Sequence, residues 1–251
     1  MLTPSIWALL LTALISFVGK IHGRESHVEK GSSGQNDQIS QYPKNIWEPQ
    51  LFPDSRTSAR AKLLKRVRTL LKTSPLIDGH NDLPWNIRKF IHSQINDFNF
   101  SVDLRNRSVY PWANSTWSQT DIPRLRRGLV GAQFWVAYVP CEAQFLNAVQ
   151  ITLEQIDLIR RLVSKYPNDL VLALSADDIE RAHREGKIAS LIAVEGGHSI
   201  GNSLATLRTF YELGVRAMTL THTCNTPWAD SSLVETGTHK PQHGGLTKFG
   251  R

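Results

Sequence analysis

Apolar residues between positions 75 and 221 fall into short continuous runs and into longer stretches with helical spacing. The short runs predict buried strands, and the longer stretches predict amphipathic helices between them. The predicted strands are 75–79, 130–139, 188–194 and 215–221, and the predicted helices are 148–166, 176–185 and 203–213. Strands and helices that alternate in this order are typical of a parallel α/β sheet.

One more amphipathic helix is predicted directly before the first strand. Apolar residues recur there at helical spacing, and six cations without an acid occupy the rest of residues 59–73. We expect its apolar stripe to pack on the body of the protein, and a role at a membrane surface is the alternative. Residues 24–58 are polar, contain Gly, Ser and Pro and lack periodicity, so they predict a flexible leader.

The N-terminus carries a separate apolar run from Ile6 to Gly19. This run is shorter than the roughly 20 residues that a membrane-spanning helix needs, but it has the length of the apolar core of a secretory signal. We therefore expect residues 1–23 to be a signal peptide that directs the chain to the secretory pathway, outside the cell or on its surface. An uncleaved anchor and a buried core helix are the alternatives.

Composition and charge exclude several protein classes. With 41% hydrophobic and 20% charged residues the chain has the composition of an ordered globular protein. The formal net charge is +7, but residues 74–251 are nearly neutral and residues 59–73 hold most of the excess. Since the positive charge is confined to one short helix, we expect no nucleic-acid partner.

Two features agree with an oxidising compartment. Asn99, Asn106 and Asn114 each begin an acceptor sequon for N-glycosylation, and all three lie in one polar stretch that predicts a surface loop. The chain has two cysteines, Cys141 and Cys224, and a pair in a secreted protein is more often bridged than free. We expect a disulfide, although either cysteine could instead be an isolated buried thiol.

Polar side chains follow three of the four predicted strands. His80 and Asp82 come two residues apart after the first strand, so in extended chain they point to the same side. Glu195 ends the third strand, and His222 follows the fourth. Imidazole and carboxylate groups at the carboxyl ends of parallel strands suit a zinc site.

Glu195 is the most informative of these residues. A carboxylate at the end of a buried strand needs a cation or another partner, and it can bridge two metal ions. The two glycines that follow it allow a tight turn and a close approach of the backbone. His198, after these glycines, is read as a turn residue rather than as support for a metal ligand.

Five sequence strings together resemble the membrane dipeptidase (renal dipeptidase) family. They are LIDGHNDLPW at 76–85, GAQFW at 131–135, LEQID at 153–157, VEGGHS at 194–199 and LTHTCNTPW at 220–228. The resemblance implies an α/β fold of the (β/α)8 TIM-barrel, amidohydrolase type. It also implies two Zn²⁺ ions with a bridging hydroxide that hydrolyse dipeptides, and related members act on cysteinyl-leukotrienes and β-lactams.

The resemblance also assigns roles to residues. His80 and Asp82 match ligands of one zinc, and Glu195 matches the carboxylate that bridges both ions. His222 matches the histidine that contacts the substrate, where a neutral imidazole would donate a hydrogen bond to the developing oxyanion. Trp85 lies where the family has a wall of its substrate pocket.

The resemblance covers residues 74–251, and we assign 59–251 to the N-terminal part of the barrel. Only four of the eight strands are predicted from the apolar runs, so we expect a truncated chain. The resemblance places the remaining zinc ligands and the proton-transfer residue on later strands, beyond Arg251. Cys141 and Cys224 match the family's disulfide.

A GPI anchor to the membrane is implied for the full-length form, and a homodimer is left open. A non-catalytic secreted glycoprotein that retains half of the fold is the alternative function.

Overall fold

The computed structural model describes residues 58–251. The expected signal peptide, and the expected leader up to residue 57, lie outside the described residues. Within residues 58–251, no helix is both long and apolar enough to cross a membrane.

Helices and strands alternate as the hydrophobic pattern predicts. The six helices of the described part are α1 (Ser58–Thr73), α2 (Leu83–Ile91), α3 (Ile122–Arg127), α4 (Ala148–Lys165), α5 (Ala176–Arg184) and α6 (Leu204–Glu212). The five strands are β1 (Leu76–Asp78), β2 (Val130–Tyr138), β3 (Leu170–Leu172), β4 (Ile188–Glu195) and β5 (Val215–Met218). All four predicted strands and all four predicted helices are therefore found, with ends that differ by at most a few residues.

The strands form one parallel sheet around β2 and β4. β1 pairs with β2, β2 pairs with β4 over Ala132 to Tyr138, and β5 pairs with the carboxyl half of β4. β3 pairs with the first three residues of β4, on the edge that β5 occupies further along. The carboxyl ends of β1, β2, β4 and β5 thus lie at the same end of the sheet, where a site is expected.

Alternate residues of β4 face opposite sides of the sheet and pack in two different clusters. Ile192 and Val194 belong to the main core, and α4 covers this face of the sheet. Ala189 and Leu191 point to the other face and pack with Ala182 of α5. A strand that is buried on both faces requires a nearly continuous apolar run, which is the pattern of residues 188–194.

The sequence pattern missed three elements. β3 has only three residues after the turn at Pro167, and a run this short has no readable periodicity. α2 and α3 are also short, with nine and six residues, and each has a proline in its first turn. The sheet therefore has five strands within the described residues rather than four.

The expected packing of α1 is only partly correct. Leu64 and Leu71 are half-buried, but Leu63, Val67 and Leu70 are 58%, 47% and 62% exposed. One side of the apolar stripe therefore faces solvent.

The segment between α2 and β2 is an ordered excursion that one buried carboxylate stabilises. Asp121 is fully buried, caps α3 by accepting a hydrogen bond from the N–H of Arg124 (2.8 Å), and accepts another from the N–H of Leu104 (3.0 Å). The three sequon residues of this segment have exposed side chains; they are Asn99, Asn106 and Asn114.

Candidate metal centre

The loop after β1 holds His80 and Asp82 side by side. Asp82 is the N-cap residue of α2, but its side chain caps no backbone N–H group. Its Oδ1 lies instead 3.1 Å from Nε2 of His80. The two side chains are 48% and 51% exposed, so both can reach a ligand at the carboxyl end of the sheet.

Asn81, between these two residues, anchors the loop to the sheet. Its carbonyl accepts a hydrogen bond from the N–H of Val136 (3.0 Å), and its Nδ2 donates to Oε1 of Gln133 (3.3 Å). Gln133 is fully buried in β2 and donates to the carbonyl of Asp78 (3.3 Å). This network was missed from the sequence, although a glutamine inside an apolar strand is a signal that a buried polar partner exists.

Glu195 lies at the end of β4 with its side chain only 12% exposed. Its Oε2 is 3.7 Å from Nε2 of His80, and its Oε1 is 2.9 Å from Nδ1 of His222. Within residues 58–251 no Lys or Arg pairs with this carboxylate. Burial raises the pKa of Glu195, the two imidazoles oppose this shift, and the charge of Asp82 adds to it.

The geometry of three side chains fits a metal ion. His80, Asp82 and Glu195 each offer one ligand atom, and these atoms lie within 4.8 Å of one another. Ligands about 2.0–2.2 Å from a tetrahedral zinc are roughly 3.3–3.6 Å apart, and the contacts of 3.1 and 3.7 Å made by His80 come close to this range. The nitrogen and oxygen donors also suit zinc.

His222 does not belong to this group of three. Its Nδ1 lies 2.9 Å from Oε1 of Glu195, whereas His80 faces Oε2. Each carboxylate oxygen of Glu195 thus faces a different imidazole.

The two glycines after Glu195 are required by the backbone. Gly196 has φ 92°, in the left-handed region that favours glycine, and its N–H donates to Oγ1 of Thr219 (2.7 Å). A Cβ on Gly197 would lie 2.4 Å from the carbonyl oxygen of Leu220. The expected tight turn and close backbone approach are confirmed, and they hold the end of β4 against the segment after β5.

His198 is a buried part of the turn that follows these glycines. It lies in a single helical turn, Gly197–Ile200, and is 2% exposed. Its Nε2 donates to the carbonyl of Val139 (2.9 Å), and its Nδ1 is 3.9 Å from Sγ of Cys224. Burial lowers its pKa, which favours the neutral ring. His198 is therefore a turn residue, as read from the sequence, and it also links the ends of three strands.

Tyr138 lies between Trp85 and His222 and packs against both rings. The sequence pattern did not single this residue out. The ring of Tyr138 packs edge-on against Trp85 (5.1 Å between centroids) and against His222 (5.6 Å). Tyr138 ends β2 directly beside Glu195 in the register of the sheet. Burial raises its pKa, and the charges of nearby carboxylates including Glu195 add to the shift. An aromatic wall thus borders the carboxylate.

A disulfide joins Cys141, after β2, to Cys224, after β5, in agreement with the expected pairing. The two Cα atoms are 5.8 Å apart. Nearby, Nε2 of Gln144 donates to the carbonyl of Asn225 (3.1 Å), so the same two segments are also tied by a hydrogen bond. The covalent link therefore fixes the chain two residues after His222.

Asp230 organises the loop that follows. It accepts hydrogen bonds from the N–H groups of Gln242 (3.0 Å), His243 (3.0 Å) and Gly245 (3.1 Å). Desolvation works in the opposite direction, but these backbone donors hold the pKa of Asp230 at about 2. A cavity of about 380 Å³ is lined by this loop and Cys224, and none of His80, Asp82 and Glu195 lines it.

Known proteins resemble this chain over most of the part that the structure describes. The model of the membrane dipeptidase family (peptidase family M19) matches residues 64–251. Dipeptidase 3 of Mus musculus is 49% identical over 189 residues, which are 75% of this chain and 35% of that protein. Dipeptidase 3 of Homo sapiens is 46% identical over 185 residues, 74% of this chain and 35% of that protein. The chain thus spans about a third of the length of these curated relatives.

Solved structures share the fold at low sequence identity. The probable dipeptidase PvdM from Pseudomonas aeruginosa gives a TM-score of 0.55 at 19% identity, over 76% of this chain and 46% of that chain. A metallo peptidase from Rhodobacter sphaeroides, liganded with a phosphinate mimic of the dipeptide L-Ala-D-Ala, gives 0.52 at 18% identity, over 71% and 54%. The fold is the parallel α/β fold of TIM-barrel dipeptidases, of which this chain covers a part. With a family match over most of its length and a candidate metal-ligand group at the expected strand ends, the chain belongs to the membrane dipeptidase family, peptidase family M19.

Proposed function

We propose that this site serves the zinc-dependent hydrolysis of dipeptides, with two zinc ions in the complete centre. The observation that carries the proposal is the position of Glu195. One of its oxygens faces His80 beside Asp82, and the other faces His222. The oxygen that faces His80 and Asp82 is placed for one zinc ion, and a bridging carboxylate would offer its other oxygen to a second ion about 3.5–4 Å from the first.

The roles of the side chains follow from these contacts. His80, Asp82 and Glu195 would hold zinc, which supplies Lewis acidity and lowers the pKa of bound water. His222 has Nδ1 against Glu195, so Nε2 is the ring nitrogen left for the substrate. If Nδ1 donates to the carboxylate, a neutral ring has no proton on Nε2. With Nδ1 donating to Glu195, a hydrogen bond from Nε2 to an oxyanion would require a proton on both ring nitrogens.

The aromatic side chains support a small peptide as the substrate. Trp85 and Tyr138 form an apolar wall beside the carboxylate, and Tyr138 holds the edge of His222. A pocket with one apolar wall and a few directed polar groups is typical of small-ligand sites. The phosphinate dipeptide mimic in the Rhodobacter sphaeroides relative is of the same substrate class.

A second candidate is a non-catalytic secreted or surface glycoprotein with half of the dipeptidase fold. Within residues 58–251 three candidate ligands come together, one of them a histidine, whereas the family uses five ligands for two zinc ions. Under this reading the ligand residues would be retained without turnover.

A fusion protein separates the two candidates. We expect the 251-residue chain alone to bind zinc weakly and to hydrolyse no Gly-Xaa dipeptide at a measurable rate, because the coordination shell is incomplete. A fusion in which the later strands of an active family member follow Arg251 should bind two zinc ions and hydrolyse dipeptides. In that fusion, Glu195→Gln should abolish turnover, whereas His222→Leu should retain zinc and lower kcat by about 100- to 1000-fold.

The readouts are zinc content after dialysis and the rate of dipeptide cleavage. A fusion that folds and holds two zinc ions but cleaves no dipeptide would favour the non-catalytic glycoprotein. Two tightly bound zinc ions and robust hydrolysis by the 251-residue chain alone would show that three ligands suffice.

We also propose that the chain enters the secretory pathway and is glycosylated, with a GPI anchor in the full-length form. All three sequon asparagines have exposed side chains in the excursion before β2. At Asn106, Oδ1 accepts a hydrogen bond from Oγ of Ser108 (3.0 Å). The serine hydroxyl of this sequon therefore lies against the amide of its asparagine.

We expect glycans on at least two of Asn99, Asn106 and Asn114 in protein secreted from animal cells. Treatment with an endoglycosidase should increase electrophoretic mobility in at least two steps, and each Asn→Gln variant of an occupied site should remove one step. Unchanged mobility after treatment would contradict glycosylation of this segment.

A further inference from the structure

The residue at the cap position of α2 does not cap the helix with its side chain. Asp82 holds this position, because its carbonyl accepts the first helical hydrogen bond, from the N–H of Asn86 (3.0 Å). An aspartate at such a position commonly also accepts a hydrogen bond through its side chain, from the N–H group two or three residues further on. The side chain of Asp82 accepts no such bond.

Asn81 supplies a hydrogen bond to the start of the helix instead. Its Oδ1 accepts from the N–H of Leu83 (3.0 Å), the first residue of α2. An asparagine that bonds the N–H group two residues further on forms an Asx turn. Two residues after Asp82 stands Pro84, which has no N–H to donate. Of the two usual donors, only the N–H of Trp85 is therefore left for the carboxylate of Asp82.

The amide of Asn81 is held in one orientation. Its Nδ2 donates to Oγ1 of Thr120 (3.0 Å) and to Oε1 of Gln133 (3.3 Å). Gln133 is fully buried, and its own Nε2 donates to two backbone carbonyls, so its oxygen is the atom that faces Asn81. The backbone carbonyl of Asn81 accepts from the N–H of Val136 (3.0 Å). These contacts direct the side-chain oxygen of Asn81 towards α2.

We propose that Asn81 is a positioning residue for the metal ion: it caps α2 in place of Asp82 and leaves the carboxylate of Asp82 to the metal. The position of Asp82 supports this role, because its Oδ1 lies 3.1 Å from Nε2 of His80 rather than on the helix. This role rests on the proposed zinc site. Residues that orient metal ligands typically contribute about 10- to 100-fold to metal affinity.

The first test needs no metal. Without the side chain of Asn81, the carboxylate of Asp82 is at the standard position to cap the N–H of Trp85. A crystal structure of metal-free Asn81→Ala should therefore show an oxygen of Asp82 within about 3.2 Å of the Trp85 nitrogen. A carboxylate that stays beside His80 in this variant would overturn the proposal.

The second test measures the affinity for a metal ion. Co²⁺ titration of the 251-residue chain, followed by visible absorbance, should show that Asn81→Ala weakens binding at least tenfold. Asn81→Ser should recover part of this loss, since a serine hydroxyl forms the same turn more weakly. The matched control is Asn86→Ala. Asn86 lies in the first turn of α2 and donates to the carbonyl of Trp117 (3.2 Å), so its loss should leave the affinity within about twofold.

A double-mutant cycle shows whether Asn81 acts through Asp82. Asp82→Ala alone should weaken Co²⁺ binding at least tenfold, and Asn81→Ala added to it should cost less than about threefold more. Asn81→Ser takes the place of Asn81→Ala in this cycle if the alanine variant does not fold.

The outcomes separate the role of Asn81 from the zinc site itself. An equal cost of the Asn81 change in both backgrounds would show a structural effect alone and would overturn the proposal. So would an unchanged affinity of the Asn81 variant where Asp82→Ala does weaken binding, and the zinc site would then stand. If Asp82→Ala leaves the affinity unchanged, the proposed zinc site is wrong, and the role of Asn81 with it.

Discussion

Glu195→Gln is expected to remove zinc binding from the 251-residue chain and, at the same time, to make the metal-free chain more stable. Glu195 is the candidate ligand that connects the loop after β1 to the end of β4. Changes to groups that only orient ligands already cost about 10- to 100-fold in affinity, so loss of this ligand should cost at least about 100-fold. Titration with Zn²⁺ or Co²⁺, followed by calorimetry or absorbance, measures the loss.

The gain in stability follows from the environment of the carboxylate. Glu195 is largely buried and its pKa is raised, which means that folding disfavours its charged form despite the two imidazoles. Glutamine has the same shape without the charge, so the thermal midpoint of the metal-free variant should rise at pH 7. Glu142→Gln is the control, because Glu142 is an exposed acid near the same strand ends. A lower midpoint, or zinc affinity within threefold of the wild type, would contradict the prediction.

The same raised pKa gives two opposite pH dependences. A raised folded-state pKa of an acid contributes stability below its unfolded pKa, and this contribution is lost as pH rises through the folded value. In the metal-free chain, the free energy of unfolding should therefore fall as the pH rises above the ordinary pKa of a glutamate side chain, because Glu195 then becomes charged in its buried position. Zinc binding should strengthen over the same interval, because the ligands must be deprotonated. In Glu195→Gln both dependences should be weaker.

Removal of the disulfide is expected to have the largest effect on folding. Cys141 and Cys224 are 83 residues apart, and in the chain-entropy model a closed loop of this size stabilises the fold by about 4–5 kcal/mol. Cys141→Ala/Cys224→Ala should therefore lower the free energy of unfolding in urea by up to about 4 kcal/mol. Wild-type protein unfolded with a reductant present should show the same loss. A loss below about 1 kcal/mol would mean that the remaining contacts already hold these segments together.

The central part of the fold can be predicted from the sequence because its strands are buried on both faces. β2 and β4 consist of nearly uninterrupted apolar residues, and the helices that flank them repeat apolar residues at helical spacing. The candidate ligand residues can be predicted for a related reason. His80, Asp82 and Glu195 are polar residues placed directly after apolar strands, where a parallel sheet gathers its functional groups.

Other features depend on contacts between distant residues and were missed. Gln133 and Asn81 interact across 52 positions, and neither has a local pattern that predicts the other. In the sequence, Tyr138 resembles the other apolar residues of its strand. Only the pairing of β2 with β4, which sets Tyr138 beside Glu195, shows that it lies at the site. The exposed side of α1 was also missed, because periodicity identifies an apolar stripe but does not say what covers it.

The link between Cys141 and Cys224 also makes the backbone between them a covalent ring. A protease that cuts once inside this ring opens it without releasing a fragment, so the two pieces stay attached until the sulfurs are reduced. Glu195 and His222 lie within the ring, whereas His80 and Asp82 lie on the arm that precedes it. A nicked molecule would therefore keep the shared carboxylate and its histidine on one connected body, and an intact band on a non-reducing gel would not show that the chain is uncut.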